Sequence, residues 1–258
     1  MTARALALPA LWRGLAVPAA FIAAWFALSH SGLVDSRLLV APEGALAVPF
    51  DDPDGRMLWP ALAASVCRML AGFAIGASLG TVLGFVMGLS SLGERLFGLS
   101  FNAVRQITLF AWIPLLTAWF GNGEGAKLVF IALSAFFPMA LNTLQGLRDL
   151  PPHYRELAAV LRLSRRTMLL RVWLPASLPA IAIGIELALI GAWIGTVGAE
   201  YAMGFGRGLG IYLAEGREQF RMDIVIVGAL TLALVGYALN RAFAIGLRRL
   251  MAWRRAGP

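Results

Sequence analysis

The chain has 258 residues, 59% of them hydrophobic and only 14% charged, with a net charge of +8. Soluble domains are nearer a quarter charged, so this composition fits a bilayer as solvent. The basic excess does not point to nucleic acid, because no basic stretch is interleaved with stacking aromatics and basic residues gather on the cytoplasmic side of membrane proteins.

A helix needs about 20 apolar residues to cross the hydrocarbon core. Six segments qualify: residues 15–33, 70–89, 107–120, 128–147, 178–199 and 224–247. The sequence therefore predicts an all-α polytopic membrane protein with six transmembrane helices. It divides into residues 1–58 (tail, first span and an outer interfacial segment) and a five-span core over 59–258. The first segment is long, carries Trp25 and lacks a small-x-small cleavage site, so it reads as an uncleaved anchor rather than a signal peptide. The third is short alone and is extended by residues 97–104.

The outer loop over residues 35–59 carries five carboxylates against Arg37 and Arg56 and is punctuated by Pro42, Pro49 and Pro53. Short interfacial helices are expected there. GNGEGA (residues 121–126) predicts a tight turn, because glycine tolerates the needed backbone angles cheaply. Residues 200–223 form a second long outer loop with Gly204, Gly206, Gly208 and Gly210 close together. The second span holds Gly72, Gly76, Gly80, Gly84 and Gly88, a stripe that permits close helix packing or forms a mobile pore-side or subunit-contact face.

Alternating sides from the N-terminus places 15 of the Lys and Arg residues on one side and 6 on the other, with Arg68 near a span edge. The positive-inside rule makes the basic side cytoplasmic, with both termini inside. The cytoplasmic loop over residues 151–175 starts at Pro151-Pro152, which suit a first helical turn. It continues as HYRELAAVLRL, and Ser164 can cap a second helix, RRTMLLRVW, that is expected to stop at Leu174-Pro175. A helical hairpin of this kind suits docking into a partner's groove.

This loop resembles the cytoplasmic motif of permease subunits in ATP-binding-cassette importers. That motif runs Glu-Ala-Ala, then Gly four residues after the second Ala, then hydrophobic-x-Leu-Pro. Here Glu156, Leu157, Ala158 and Ala159 open it and Val172-Trp173-Leu174-Pro175 close it. Leu157 replaces the first Ala and Arg162 the Gly. The resemblance implies that this hairpin docks on a separate ATPase, with Glu156, Leu157, Ala158, Ala159, Arg162, Leu174 and Pro175 as coupling residues.

Within those permeases the chain resembles the nitrate, sulfonate and taurine group. The stretches that carry this are SVCRMLAGF (residues 65–73), LFAWIPLLTAWFGNGE (109–124), AFFPMALNTLQGLRDL (135–150) and Gly208-Leu209-Gly210. Thr108 stands where the group usually has Pro, so one expected kink is missing. The resemblance implies an importer subunit for a small anionic solute, located in the bacterial inner membrane. Its implied partners are a cytoplasmic ATPase dimer, an extracytoplasmic solute-binding protein and a second permease copy. No cofactor, metal or catalytic residue is expected. A phosphate-binding GxxxxGK[ST] loop is absent, since the only lysine, Lys127, lies between Ala126 and Leu128.

Expected path or gate residues are Pro114, Pro138, Asn142, Glu200, Gly208 and Gly210. Pro114 and Pro138 read equally as cavity lining or simple kinks, and Glu200 as an outer gate or an interfacial carboxylate. Arg68 and Arg105 read as snorkelling charges or as attractors of an anion. An ion-driven secondary transporter is the rival reading. It usually shows buried carboxylates and an internal repeat, whereas these spans hold almost no interior Asp or Glu. A membrane-embedded enzyme would need a metal cluster or nucleophile–base pair that is not visible.

Overall fold

The computed structural model describes residues 7–33, 35, 39–149, 160–161 and 164–250, and it has no strand among them. The helices are α1 (Ala7–His30), α2 (Pro42–Asp51), α3 (Leu58–Leu89), α4 (Ser91–Val104), α5 (Ile113–Phe120), α6 (Glu124–Arg148), α7 (Arg165–Met168), α8 (Leu174–Met203), α9 (Leu209–Glu218) and α10 (Met222–Leu250). Short 3-10 turns at Gly55–Met57 and Leu109–Trp112 precede α3 and α5, and a π-helical turn, Leu169–Trp173, joins α7 to α8. Among the described residues, four stretches are long and apolar enough to cross a membrane: Gly55–Leu89, Glu124–Arg148, Arg166–Met203 and Met222–Leu247. A fifth arises if the bent pair Ser91–Val104 and Leu109–Phe120 counts as one.

Two compact units divide the chain. The first contains residues 1–59 and 212–231. Here α2 opens with Pro42 in its first turn, where the missing N–H loses nothing, and with Glu43 favourably placed against the helix dipole. The expected short helices of the outer loop are thus present as α2 and the turn after it. Trp25 Nε1 donates to the Val40 carbonyl at 3.0 Å, tying α1 to the segment before α2. The long outer loop expected over 200–223 is mostly helical, holding the last turn of α8 and all of α9.

The second unit contains residues 60–211 and 232–258. Among the described residues, helix α6 contributes to three apolar clusters. Ile131, Ala135 and Met139 pack with Met69 of α3 and Ile181, Ala188, Leu189 and Ala192 of α8. Phe130 and Ala126 pack with Leu116 of α5 and Ala199 and Met203 of α8. Ala140 and Leu144 pack with Met87 and Phe101 of α3 and α4. The glycine stripe of α3 faces this helix throughout. A Cβ on Gly72 would strike the Ile131 side chain, one on Gly76 the Ala132 carbonyl, and one on Gly80 the Phe136 carbonyl at 2.5 Å. Gly84 and Gly88 face Thr143 and Leu147 in the same way. Small residues also let α8 approach α6, with Gly191 and Gly195 against Ser134 and Gly184 against Asn142.

Three local expectations are corrected. The third span is not one extended helix. It breaks between Val104 and Leu109 with a 95° bend. The kink expected to be missing at Thr108 is there, and Thr108 has φ −54°, a value proline would also adopt. Pro114 is not a mid-helix kink, because it lies in the first turn of α5, where no hydrogen bond is lost. Finally, the helix beginning at Arg165 does not stop at Pro175. The wider π turn over Leu169–Trp173 accommodates the proline ring and the helix continues to Met203.

Candidate functional site

Four ionisable side chains meet at the N-terminal ends of α3 and α6 and the C-terminal end of α8. Ser65 and Arg68 lie three residues apart on α3, and Glu124 and Lys127 three apart on α6, so each pair shares a helix face. Glu200 sits one turn before the end of α8 and is fully buried, as is Lys127, while Arg68 is 9% exposed. Arg68 forms a fork on Glu124, Nε to Oε2 at 2.6 Å and Nη2 to Oε1 at 2.8 Å. Its Nη1 pairs with Glu200 and its Nη2 also donates to the Arg207 carbonyl at 3.0 Å. Lys127 donates to the Phe205 carbonyl and lies 3.7 Å from Glu124.

The segment after α8 closes the cluster. Gly204 adopts a left-handed conformation (φ +57°), and its N–H bonds to the Glu200 carbonyl, ending the helix. The chain then folds back so that the Gly210 N–H donates to Glu200 Oε2 at 2.9 Å and the Leu209 N–H to Ser65 Oγ at 2.8 Å. The Ser65 hydroxyl donates in turn to the Glu200 carboxylate, 2.7 and 2.8 Å from its two oxygens. A Cβ on Gly208 would collide with that carboxylate, so glycine is what permits the close approach. Two cations and two anions thus sit together, neutral as a group, with their hydrogen-bonding capacity largely used, the condition under which buried charge is tolerated.

Arg68 and Glu200 are therefore not snorkelling or interfacial charges. Of the expected path residues, the structure joins Glu200, Gly208 and Gly210 in this cluster. Pro138 and Asn142 lie together on α6, where Asn142 Nδ2 donates to the Pro138 carbonyl at 2.8 Å. Pro114 is separate from both, in α5. Sequence reading missed Ser65, Glu124 and Lys127, whose signal was available: the single lysine, embedded in an apolar segment, with a carboxylate one turn away. The coupling residues Glu156, Leu157, Ala158, Ala159 and Arg162 lie outside the described residues. Leu174 and Pro175 begin α8, and Ser164 caps the preceding helix by accepting the Thr167 N–H at 3.2 Å. Among the described residues no group of His, Cys, Asp or Glu side chains is arranged to hold a metal ion.

A second cluster belongs to the other unit. Arg221 reaches Asp52 at 2.6 Å, Asp223 at 2.7 Å and Asp54 at 3.4 Å. Arg221 beside Asp52 holds that carboxyl down at about 2, and the carboxylates raise the Arg221 pKa in return. Burial pushes the neighbouring Tyr212 phenol up to about 12.

The family of binding-protein-dependent transport system inner membrane components matches residues 76–251. The chain belongs to this family. It is a permease subunit of an ABC importer. The permease is 33% identical over 244 residues to the putative aliphatic sulfonates transport permease protein SsuC of Bacillus subtilis (strain 168), covering 95% of this chain and 88% of the relative. It is 34% identical over 240 residues to the protein of the same name from Escherichia coli (strain K12), covering 93% and 91%. Its fold matches a chain of the inward-facing MetNI methionine ABC transporter with a TM-score of 0.67 and 18% identity, over 77% of this permease and 98% of that chain.

Proposed function

We propose that the permease imports a small anionic organic or inorganic solute, of which an aliphatic sulfonate is the leading candidate, with taurine and nitrate as related candidates. Two copies form the path, each with six spans and with both termini in the cytoplasm. An ATPase dimer docks on the loops over residues 151–175, and an extracytoplasmic binding protein delivers solute to the opposite face. The observation that carries this reading is the family match together with the arginine asymmetry, which assigns residues 151–175 to the cytoplasm. The same asymmetry assigns the Arg68–Glu124–Lys127–Glu200 cluster to the outer ends of three spans. There it acts as a latch whose state differs between the two conformations of an alternating-access cycle. The names of the relatives support the sulfonate assignment.

The reading is tested with the chain expressed alongside its ATPase. Glu156→Lys is expected to abolish ATPase co-purification while membrane insertion is kept. Wild-type-like co-purification and uptake in that variant would remove the docking assignment. Failure of the unmodified chain to bind any ATPase would remove the reading as a whole.

A further inference from the structure

The four membrane-crossing stretches contain the acidic residues Glu124, Glu186, Glu200 and Asp223. Arg68 binds Glu124 and Glu200, and Arg221 binds Asp223. Glu186 is the exception. It is half-buried in the middle of α8 and has no hydrogen-bond or ion-pair partner among the described residues. It precedes Glu200 by 14 residues, about 21 Å along the helix axis, which puts it deep in the hydrocarbon layer. A carboxylate at that depth is expensive against lipid tails and is kept where it faces water or a binding partner.

Helical spacing puts Glu186 on the same strip of α8 as Ile190 and Trp193. Those two residues line a cavity of about 250 Å³, whose opposite wall is α10 with Gly236, Tyr237 and Asn240. Trp193 Nε1 donates to the Leu232 carbonyl at 3.3 Å, and a Cβ on Gly236 would sit 2.6 Å from that nitrogen, so one wall is held fixed. Tyr237 is 70% exposed, and the Asn240 amide has no hydrogen-bond partner among the described residues. The phenol and the carboxamide thus line one cavity, the carboxylate lies one helical turn from Ile190 at its edge, and each is left with hydrogen-bonding capacity.

We propose that Glu186, with Tyr237 and Asn240, forms a water-facing, cation-attracting station in the translocation path, fitted to the amino end of a zwitterionic solute such as an aminoalkylsulfonate. The carboxylate attracts an ammonium group and repels a sulfonate, so it orients a solute that carries both. The phenol and carboxamide supply neutral hydrogen bonds. An anion without an amino group finds no charge partner there. This assignment rests on the permease reading and narrows its solute class.

The test uses the complete permease–ATPase complex in lipid nanodiscs. Cys67 is the only cysteine and is exposed, so it is first replaced by alanine. Ile190→Cys and, separately, Tyr237→Cys then carry the single thiol. Both are treated with cationic and anionic methanethiosulfonate reagents of similar size. Both thiols are expected to react, and the ratio of cationic to anionic rates is expected to fall about tenfold when Glu186→Gln is added. Glu186→Asp is expected to restore the ratio. In the Ile190→Cys variant, taurine is expected to slow the cationic reagent more than ethanesulfonate does.

Two unreactive thiols, or a ratio that Glu186→Gln leaves unchanged, would overturn the station. Equal effects of taurine and ethanesulfonate would overturn the zwitterion assignment. ATPase co-purification is scored in the same preparations. Its retention alongside an unchanged ratio removes only the station, whereas its loss from the unmodified chain removes the permease reading beneath it.

Discussion

Arg68 holds two carboxylates at once, and the consequences of deleting it follow from burial. Glu200 is fully buried, so Arg68→Ala leaves a buried carboxylate without its ion-pair partner. A loss of about 3–5 kcal/mol of stability is expected, read as a lower midpoint of thermal unfolding in detergent. Glu200→Gln on the Arg68→Ala background should recover part of it, since the amide carries no charge and its oxygen can still accept the Gly210 N–H. A different response is expected at Asp52. Its pKa is held at about 2 by Arg221, from an ordinary 3.8. A depressed carboxylate pKa gives stability that is present in full above the unfolded value and is lost as pH falls through the folded one. The Arg221 clamp should therefore be intact at neutral pH and weaken only between about pH 4 and about pH 2. The midpoint of thermal unfolding followed against pH measures this, and Asp52→Asn should remove that part of the acid dependence.

At the scale of the helix, the glycines of α3 and α10 make opposite predictions from the same residue type. A side chain on Gly76 would run into the Ala132 backbone, which cannot rotate away. Gly76→Val should force α3 from α6 and destabilise by about 1–3 kcal/mol or more. Gly246 lies within α10 and meets nothing within 4 Å. Gly246→Ala should be neutral or stabilising by up to about 1 kcal/mol, because it only removes backbone freedom from the unfolded chain. Thermal unfolding of the two variants side by side checks both signs. The π turn before α8 is another element-scale feature. It keeps Arg166–Met203 continuous through Pro175, so the segment that precedes α8 is joined to a long span by unbroken helix.

For the whole molecule, that continuity matters because Glu200 lies near the far end of the same helix. Its carboxylate is bound to Ser65 and Arg68 of α3 and to the Gly210 N–H. A movement of the N-terminal end of α8 is thereby mechanically connected to the cluster at its other end. Helix α6 sits between, touching α3, α4, α5 and α8 through three apolar clusters. A glycine-packed centre and a charged cluster at the ends of its helices fit the alternating-access cycle proposed above.

Hydropathy and charge were sufficient for the all-helical class and the arginine asymmetry, and short local motifs for the permease family, because each depends on residues along one helix or loop. The stripe from Gly72 to Gly88 was legible for the same reason, since its spacing is set by the helix itself. The partners of Arg68 and Glu200 were not, because Ser65, Glu124 and Leu209 approach them only when three helices and a returning loop pack together. Glu186 escaped attention because one carboxylate scarcely changes the hydropathy of its segment. Its meaning appears only when every other acidic side chain in the four long spans is seen to have a partner. Local chemistry writes the helices into the sequence, while pairing between charges far apart in the chain exists only in the packed structure, where burial makes an unmatched charge costly.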